Sequence, residues 1–133
     1  MRLLLDTCSM LWALQTPEKL GAKSRRALQN GENSIHVSPV SFWEISLKSS
    51  IGKLRIEGAA PEDLPSFVAR AGWHVLEFHA TTAASFHGLP LVPGHKDPFD
   101  RMLIWTAIRE KLVFVSKDRA LPEYGKLGLM TCH

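Results

Sequence analysis

The chain has 133 residues, which is enough for one domain with its own hydrophobic core. Hydrophobic residues make up 45% and charged residues 22%, and this balance excludes a disordered, collagen-like or coiled-coil chain. Sixteen Lys and Arg residues against thirteen Asp and Glu residues give a formal net charge of +3. Such a mildly basic balance permits a nucleic-acid partner without requiring one. We therefore expect a single domain spanning residues 1–133.

The sequence also predicts a location. The two cysteines, Cys8 and Cys132, are too few for a disulfide framework, which favours a reducing cytoplasm. A secretory signal needs an apolar run of ~7–15 residues, and Asp6 ends the N-terminal apolar run after three leucines. The longest charge-free stretch contains several prolines and glycines, so it does not predict a membrane span. We expect a cytoplasmic protein with no membrane partner.

Apolar runs alternate with segments of helical periodicity along the chain. Strands are predicted at residues 2–5, 35–38, 73–78 and 112–115, with a marginal fifth at 127–130. Helices are predicted at residues 7–14, 23–29, 40–50, 61–71, 81–87 and 98–111. This alternation predicts an α/β fold with a central parallel sheet of four to five strands and helices on both faces. In such sheets ligands bind beyond the carboxyl ends of the strands.

Four acids are placed where one pocket could collect them. Asp6 ends the first strand, Glu44 lies on the helix after the second, Asp100 opens the longest helix, and Asp118 follows the fourth strand. Buried carboxylates repel one another and are costly to desolvate, and a divalent cation relieves both costs. All-oxygen ligands favour Mg²⁺ or Mn²⁺, and carboxylate-held metals are typical of phosphoryl chemistry.

Each acid also has a purely structural interpretation. Asp97 followed by Pro98 is typical of a helix start, so we expect Asp97 to be the N-cap, and Asp100 could serve the same helix start.

Glu44 and Lys48 are four residues apart on a helix and could form a surface ion pair. Asp118 could make a local turn. Asp6 has the weakest structural explanation, because a charge that closes a buried strand is costly unless something binds it.

Five short motifs occur in a recognisable order across nearly the whole chain: MRLLLDT at 1–7, SFWEI at 41–45, GLPL at 88–91, HKDPFDRMLI at 95–104 and VSKD at 115–118. With these motifs the chain resembles the PIN-domain ribonucleases, and most closely the VapC-type toxins of prokaryotic toxin–antitoxin modules.

The resemblance implies a PIN-like fold and a Mg²⁺- or Mn²⁺-dependent endoribonuclease. Such an enzyme hydrolyses RNA phosphodiester bonds through a metal-activated water held by four carboxylates. It also implies control by a cognate antitoxin, and a homodimer. The family's four acids, which are both catalytic and metal-binding, fall on Asp6, Glu44, Asp100 and Asp118.

Further positions follow from the same match. Ser116 takes the place of a hydroxyl residue that supports the last acid, and Asp97 is a second supporting residue. Cys8 stands where related chains often carry His or Asn, which puts in doubt any part of residue 8 in the metal shell.

Residues outside the acids are less informative. Lys48 and Arg101 are the best candidates for RNA binding, because each lies close to an acid in sequence. The six histidines show no metal-binding spacing. The aromatic side chains of Trp43 and Phe99 are predicted to pack in the core.

Two other functions are compatible with the pattern. One is a PIN-domain nuclease of RNA maturation or DNA processing. The other, from a different class, is a receiver-like signalling module that binds Mg²⁺. Receivers carry adjacent acids after the first strand and an acid after the central strand, whereas Asp6 stands alone and residues 35–38 end without an acid.

Overall fold

The computed structural model describes residues 1–132, which form five strands and seven α-helices. The strands are β1 (Arg2–Leu5), β2 (Ser34–Val37), β3 (His74–Val75), β4 (Val113–Val115) and β5 (Met130–Cys132). The helices are α1 (Thr7–Gln15), α2 (Ala22–Gln29), α3 (Pro39–Ser50), α4 (Leu64–Arg70), α5 (Ala80–Ala84), α6 (Pro98–Glu110) and α7 (Leu121–Gly125). Short 3-10 turns occupy Pro17–Lys19, Pro61–Asp63 and Phe86–Gly88. No helix in this described part is long and apolar enough to cross a membrane.

All strand pairs are parallel, and the order across the sheet is β3-β2-β1-β4-β5. The chain adds β2 and β3 on one side of β1, and then β4 and β5 on the other. The direction of winding therefore reverses between β1 and β4, and such a reversal leaves a crevice beyond the carboxyl ends of these two strands. In receivers the first strand lies between the second and the third, whereas here β1 lies between β2 and β4. This topology excludes the receiver-like alternative.

Side chains of β1 alternate between two hydrophobic cores, one on each face of the sheet. Leu3 and Leu5 are fully buried against residues of α1, α3 and α4, and Leu4 is fully buried against residues of α6 and α7. The predicted parallel sheet with helices on both faces is thereby confirmed, and β1 is anchored from both sides.

Two strands differ by more than one residue from their predicted bounds, and β2 and β4 differ by one residue. The strand predicted at 73–78 is reduced to His74–Val75, because β3 is an edge strand that pairs only with β2. The strand predicted at 127–130 begins only at Met130, because Gly128 has a φ of +100°. Leu129 there donates its backbone N–H back to the carbonyl of Tyr124, which continues the turn after α7.

One aromatic residue lies outside the core. Trp43 is 63% exposed, so the prediction that it packs in the core is wrong. Its ring meets the half-buried ring of Phe99 edge-on at 5.1 Å between centroids. Apolar neighbours in the sequence of α3 indicated burial, but Trp43 lies on the outer side of this helix.

The end of α6 provides a test of backbone strain. Lys111 caps this helix with a φ of 55°, a left-handed conformation that costs an L-residue about 1–2 kcal/mol. Glycine adopts it freely but loses more entropy on folding, so Lys111→Gly is expected to raise the free energy of unfolding by about 0.5–1 kcal/mol in urea titration. Lys126→Gly is the control, because Lys126 caps α7 with a φ of −65° and gains nothing from glycine. A decrease in stability for Lys111→Gly would contradict this account.

Candidate metal centre

The crevice between β1 and β4 brings two predicted site residues together. Leu5 pairs with Val115 in the sheet, and the backbone N–H of Asp6 donates to the carbonyl of Val115 at 3.0 Å. Asp6 and Ser116 therefore leave the sheet side by side. Their side chains line a cleft of about 270 Å³, together with those of Cys8, Trp12, Asp100, Lys117 and Asp118.

Asp6 has a structural role that the sequence did not reveal. Its Oδ1 accepts the backbone N–H of Ser9 at 2.8 Å, so Asp6 is the N-cap of α1. The side chain is nonetheless almost buried, and this burial raises the pKa of its carboxyl group. The charge of Glu44 raises it further, while hydrogen bonds from Ser9 and Ser116 oppose the rise. Asp6 is therefore both fixed in place and short of compensating positive charge.

Asp97 is the N-cap of α6, as predicted. Its Oδ1 accepts the backbone N–H groups of Phe99 at 2.8 Å and Asp100 at 3.0 Å. These bonds leave the Asp100 side chain free of the capping role. The first turn of α6 therefore directs the Asp100 carboxylate to the cleft that it lines.

The negative charges of four other acids act on the Asp100 carboxyl group. Burial raises its pKa to about 7, with further contributions from the charges of Asp97, Glu44, Asp6 and Asp118. The unfolded chain releases this proton near pH ~4. In the metal-free protein this group therefore makes the free energy of unfolding fall as the pH rises from about 4 to about 7.

Glu44 is buried, and both of its carboxylate oxygens have protein partners. Oε1 accepts the hydroxyl of Thr7 at 2.6 Å, and Oε2 forms an ion pair with the ammonium group of Lys48. The predicted ion pair is thus confirmed, although its acidic end is buried rather than on the surface. Lys48 also lies 5.7 Å from the centre of the Phe99 ring.

Asp118 is held by three neighbours. Its Oδ1 accepts the backbone N–H of Ala120 at 2.9 Å, which confirms the predicted local turn. Its own N–H donates to the hydroxyl of Ser116 at 3.0 Å, and its Oδ2 lies 2.9 Å from Nε2 of His95. The supporting position predicted for Ser116 therefore contacts the backbone of the last acid.

His95 is a site residue that sequence reasoning missed. Within residues 1–132, the one group of three ligand atoms that all lie within 4.8 Å of one another comes from His95, Asp100 and Asp118. The histidine spacing carried no signal, because the partners of His95 are carboxylates and Asp118 lies 23 residues further along the chain. Two features of the sequence pointed to it: its position five residues before Asp100, and its place as the first residue of the HKDPFDRMLI motif.

Arg101 is turned away from the cleft. Its side chain is almost buried, and one guanidinium nitrogen donates to the carbonyls of Leu89 at 3.0 Å and Pro90 at 3.3 Å. The guanidinium also stacks over the ring of Phe86 at 5.0 Å. We therefore replace the expected RNA-binding role of Arg101 by a structural one: it fastens the loop before α6.

Cys8 lines the cleft and carries a protonated thiol in the metal-free protein. Partial desolvation, together with the charges of Asp6, Asp100 and Glu44, raises the pKa of its thiol to about 11. Metal ligation and nucleophilic attack both require the thiolate. In the metal-free protein, the protonated thiol therefore contributes a small uncharged side chain to the lining of the cleft.

These donors fit a hard divalent cation. Asp6, Asp100 and Asp118 present carboxylates to one cleft, and burial, together with the charges of neighbouring carboxylates, raises the pKa values of Asp6 and Asp100. Carboxylate oxygens with at most one imidazole suit Mg²⁺ or Mn²⁺. Glu44 is already neutralised by Lys48, so it could approach such an ion directly only by exchanging that partner.

Comparison with known proteins identifies the fold. A family model described as the PIN domain matches residues 3–127. VapBC2 from Rickettsia felis, bound to a DNA fragment from their promoter, has a similar structure with a TM-score of 0.62 at 17% identity, covering 98% of this chain and 97% of that chain. DNA-bound VapBC from Salmonella typhimurium gives 0.62 at 18% identity, covering 98% and 96%. VapBC-1 from nontypeable Haemophilus influenzae gives 0.58 at 14% identity, covering 98% and 96%. No curated protein matches the chain.

The raised pKa of Asp100 leads to a charge-removal test. Asp97→Asn keeps a good N-cap but removes a negative charge, so the pKa of Asp100 is expected to fall below about 7. Carbon-13 NMR titration of the carboxyl group in the metal-free protein measures this pKa.

Asp63→Asn is the matched control. Asp63 also accepts a backbone N–H, that of Ala60, but it lies outside the cleft. The control should leave the pKa of Asp100 unchanged. The electrostatic coupling is refuted if Asp97→Asn leaves it unchanged as well.

Proposed function

Because the chain belongs to the PIN domain family, we propose that it is a Mg²⁺- or Mn²⁺-dependent endoribonuclease and the toxin of a toxin–antitoxin pair. The observation that carries this proposal is the elevated pKa of Asp100 among the acids of one cleft at the reversal of the sheet. A cleft that retains excess negative charge fits a cation, and a cation fits a phosphodiester substrate. We further propose that residues 1–133 form one catalytic domain, most of which the family model covers.

Asp6 and Asp100 are the proposed direct ligands of the cation, and Asp118 completes the shell. Glu44 does not line the cleft and its charge is paired with Lys48, so we propose that it acts on the cation through a bridging water. When bound, the ion lowers the pKa of an attacking water and neutralises charge that develops on the phosphate. The catalytic set we propose is therefore Asp6, Glu44, Asp100 and Asp118, supported by Ser116 and Asp97.

Side chains around the cleft are proposed to hold the metal ligands rigid and to contact the phosphate. Helix capping and hydrogen bonds fix Asp6 and Asp118 before any ligand arrives, so little reorganisation is needed on binding. Lys117 lines the cleft with its ammonium group 5.3 Å from the centre of the Trp12 ring, and it is a candidate contact for a neighbouring phosphate. Lys48 is a second candidate, and a phosphate would compete with Glu44 for it.

The proposed partners rest on resemblance and fold. RNA as substrate follows from the resemblance to VapC-type ribonucleases, and the net charge of +3 is compatible with a polyanion. The similar structures from Rickettsia felis, Salmonella typhimurium and Haemophilus influenzae are VapBC proteins, which supports a cognate antitoxin as the protein partner. A homodimer is part of the same proposal.

Cleavage of RNA by the purified protein tests the proposal. The wild-type protein is expected to cut RNA in Mg²⁺ or Mn²⁺ and to be inactive in EDTA. Asp6→Asn and Asp100→Asn should each lower the rate by at least about 100-fold, because a bound metal contributes several kcal/mol and each 1.36 kcal/mol is tenfold. Gel analysis of end-labelled RNA measures the rates.

Asp63→Asn, which removes a capping acid outside the cleft, should cut at the wild-type rate. Undiminished cleavage by both Asp6→Asn and Asp100→Asn would refute the assignment. Equal cleavage of single-stranded DNA of the same sequence would favour a broader nuclease over a ribonuclease toxin.

A further inference from the structure

Behind the cleft, three side chains from distant parts of the chain form a continuous line of hydrogen bonds. The phenolic oxygen of Tyr124 lies 2.7 Å from Nδ1 of His95, and Nε2 of His95 lies 2.9 Å from Oδ2 of Asp118. Tyr124 is fully buried on α7, and His95 is 8% exposed in the loop before α6. The line therefore runs from the core to the cleft.

The ionised carboxylate fixes the direction of the bond between His95 and Asp118. An ionised carboxylate only accepts hydrogen bonds, so the hydrogen lies on Nε2 of His95 and is donated to Asp118. In the neutral imidazole, Nδ1 then accepts the phenolic hydrogen of Tyr124. Both ring nitrogens are thereby occupied, so the imidazole is not free to bind a cation in this arrangement. The distance from Nε2 to Oδ2 of Asp100 is 4.0 Å, too long for a hydrogen bond.

The hydrogen bond from His95 also holds the second carboxylate oxygen of Asp118 in place. Its Oδ1 is tied to the backbone N–H of Ala120, and without His95 its Oδ2 would have no protein donor among the described residues. A carboxylate held at one oxygen can rotate about its Cβ–Cγ bond, whereas one held at both cannot. The hydrogen bond from His95 is therefore well suited to fix the orientation of the Asp118 carboxylate.

We propose that His95 is a positioning residue: it orients Asp118 towards a divalent cation in the cleft, and Tyr124 orients His95. This inference rests on the proposed function, because it takes Asp118 to be part of the metal shell. His95 acts only through Asp118 and touches neither metal nor RNA.

Binding of Mn²⁺ to the metal-free protein, measured by titration calorimetry, tests this role without relying on activity. His95→Leu removes the donor and should weaken Mn²⁺ binding about 10-fold, the scale found when residues behind a metal ligand are lost. His95→Gln places an amide N–H near the former Nε2 and should restore most of the affinity. Tyr124→Phe should cause a smaller loss than His95→Leu.

A double-mutant cycle separates positioning from a general structural effect. In an Asp118→Asn background, His95→Leu should cause no further loss of Mn²⁺ affinity, since its effect is transmitted by Asp118. His87→Leu is the control, because His87 is exposed outside the cleft and should bind Mn²⁺ as the wild type does. Circular dichroism of every variant checks that the fold is retained.

Three results would overturn the inference. The first is unchanged affinity in His95→Leu, and the second is an equal loss in the Asp118→Asn background. The third is a directly bound imidazole nitrogen in the pulsed electron paramagnetic resonance spectrum of the Mn²⁺ form. Failure of the wild-type protein to bind Mn²⁺ would overturn the proposed function and this inference together, whereas binding that His95→Leu leaves intact overturns this inference alone.

Discussion

Repulsion among carboxylates collected at one edge of the sheet is the constraint on which the rest of the structure depends. The reversal of winding between β1 and β4 brings Asp6, Asp100 and Asp118 to one cleft. Burial there penalises each charge, and the charges penalise one another. The hydrophobic cores on both faces of β1 stabilise the fold against this electrostatic cost, because they hold the strand ends in place whether or not the acids are neutralised.

The four acids differ in the contacts that surrounding residues make with them. Asp6 is stabilised as a helix cap, Glu44 by an ion pair, and Asp118 by a donor on His95. Asp100 accepts no protein hydrogen bond of this kind among the described residues, and its pKa rises to about 7. Glu44 is paired with a cationic side chain, and Asp6 and Asp118 accept hydrogen bonds, whereas Asp100 has neither among the described residues. That distribution is suited to a cation rather than to a permanently protonated acid, because several oxygens converge on the same space.

Much of the fold could be predicted from local sequence. The apolar run that ends in Asp6, and the Asp-Pro start of α6, each determine an element through interactions between residues close in sequence. Three of the four acids could be placed for the same reason, since Asp6 and Asp118 follow predicted strands and Asp100 opens a predicted helix. The short β3 could not be predicted, because its length depends on an edge position in the sheet rather than on its own propensity.

Contacts between residues that are distant in the chain could not be predicted from the sequence. The bond between His95 and Asp118 joins residues 23 apart, and Arg101 is turned inwards by carbonyls of the preceding loop. The exposure of Trp43 depends on how α3 is rotated against the sheet, which an apolar sequence neighbourhood does not determine. For Arg101 and Trp43 the residue type fitted its predicted role and the tertiary arrangement assigned a different one, whereas His95 had no predicted role.

The central claim is that the cleft holds a proton at Asp100 in place of a divalent cation. Proton release on Mn²⁺ binding tests it most directly, by calorimetry at pH 6 in buffers of different ionisation enthalpy. With a pKa of about 7, Asp100 is mostly protonated at pH 6, so binding should release about one proton per ion, and the release should disappear above pH ~8.5. Binding without proton release at pH 6 would contradict this account.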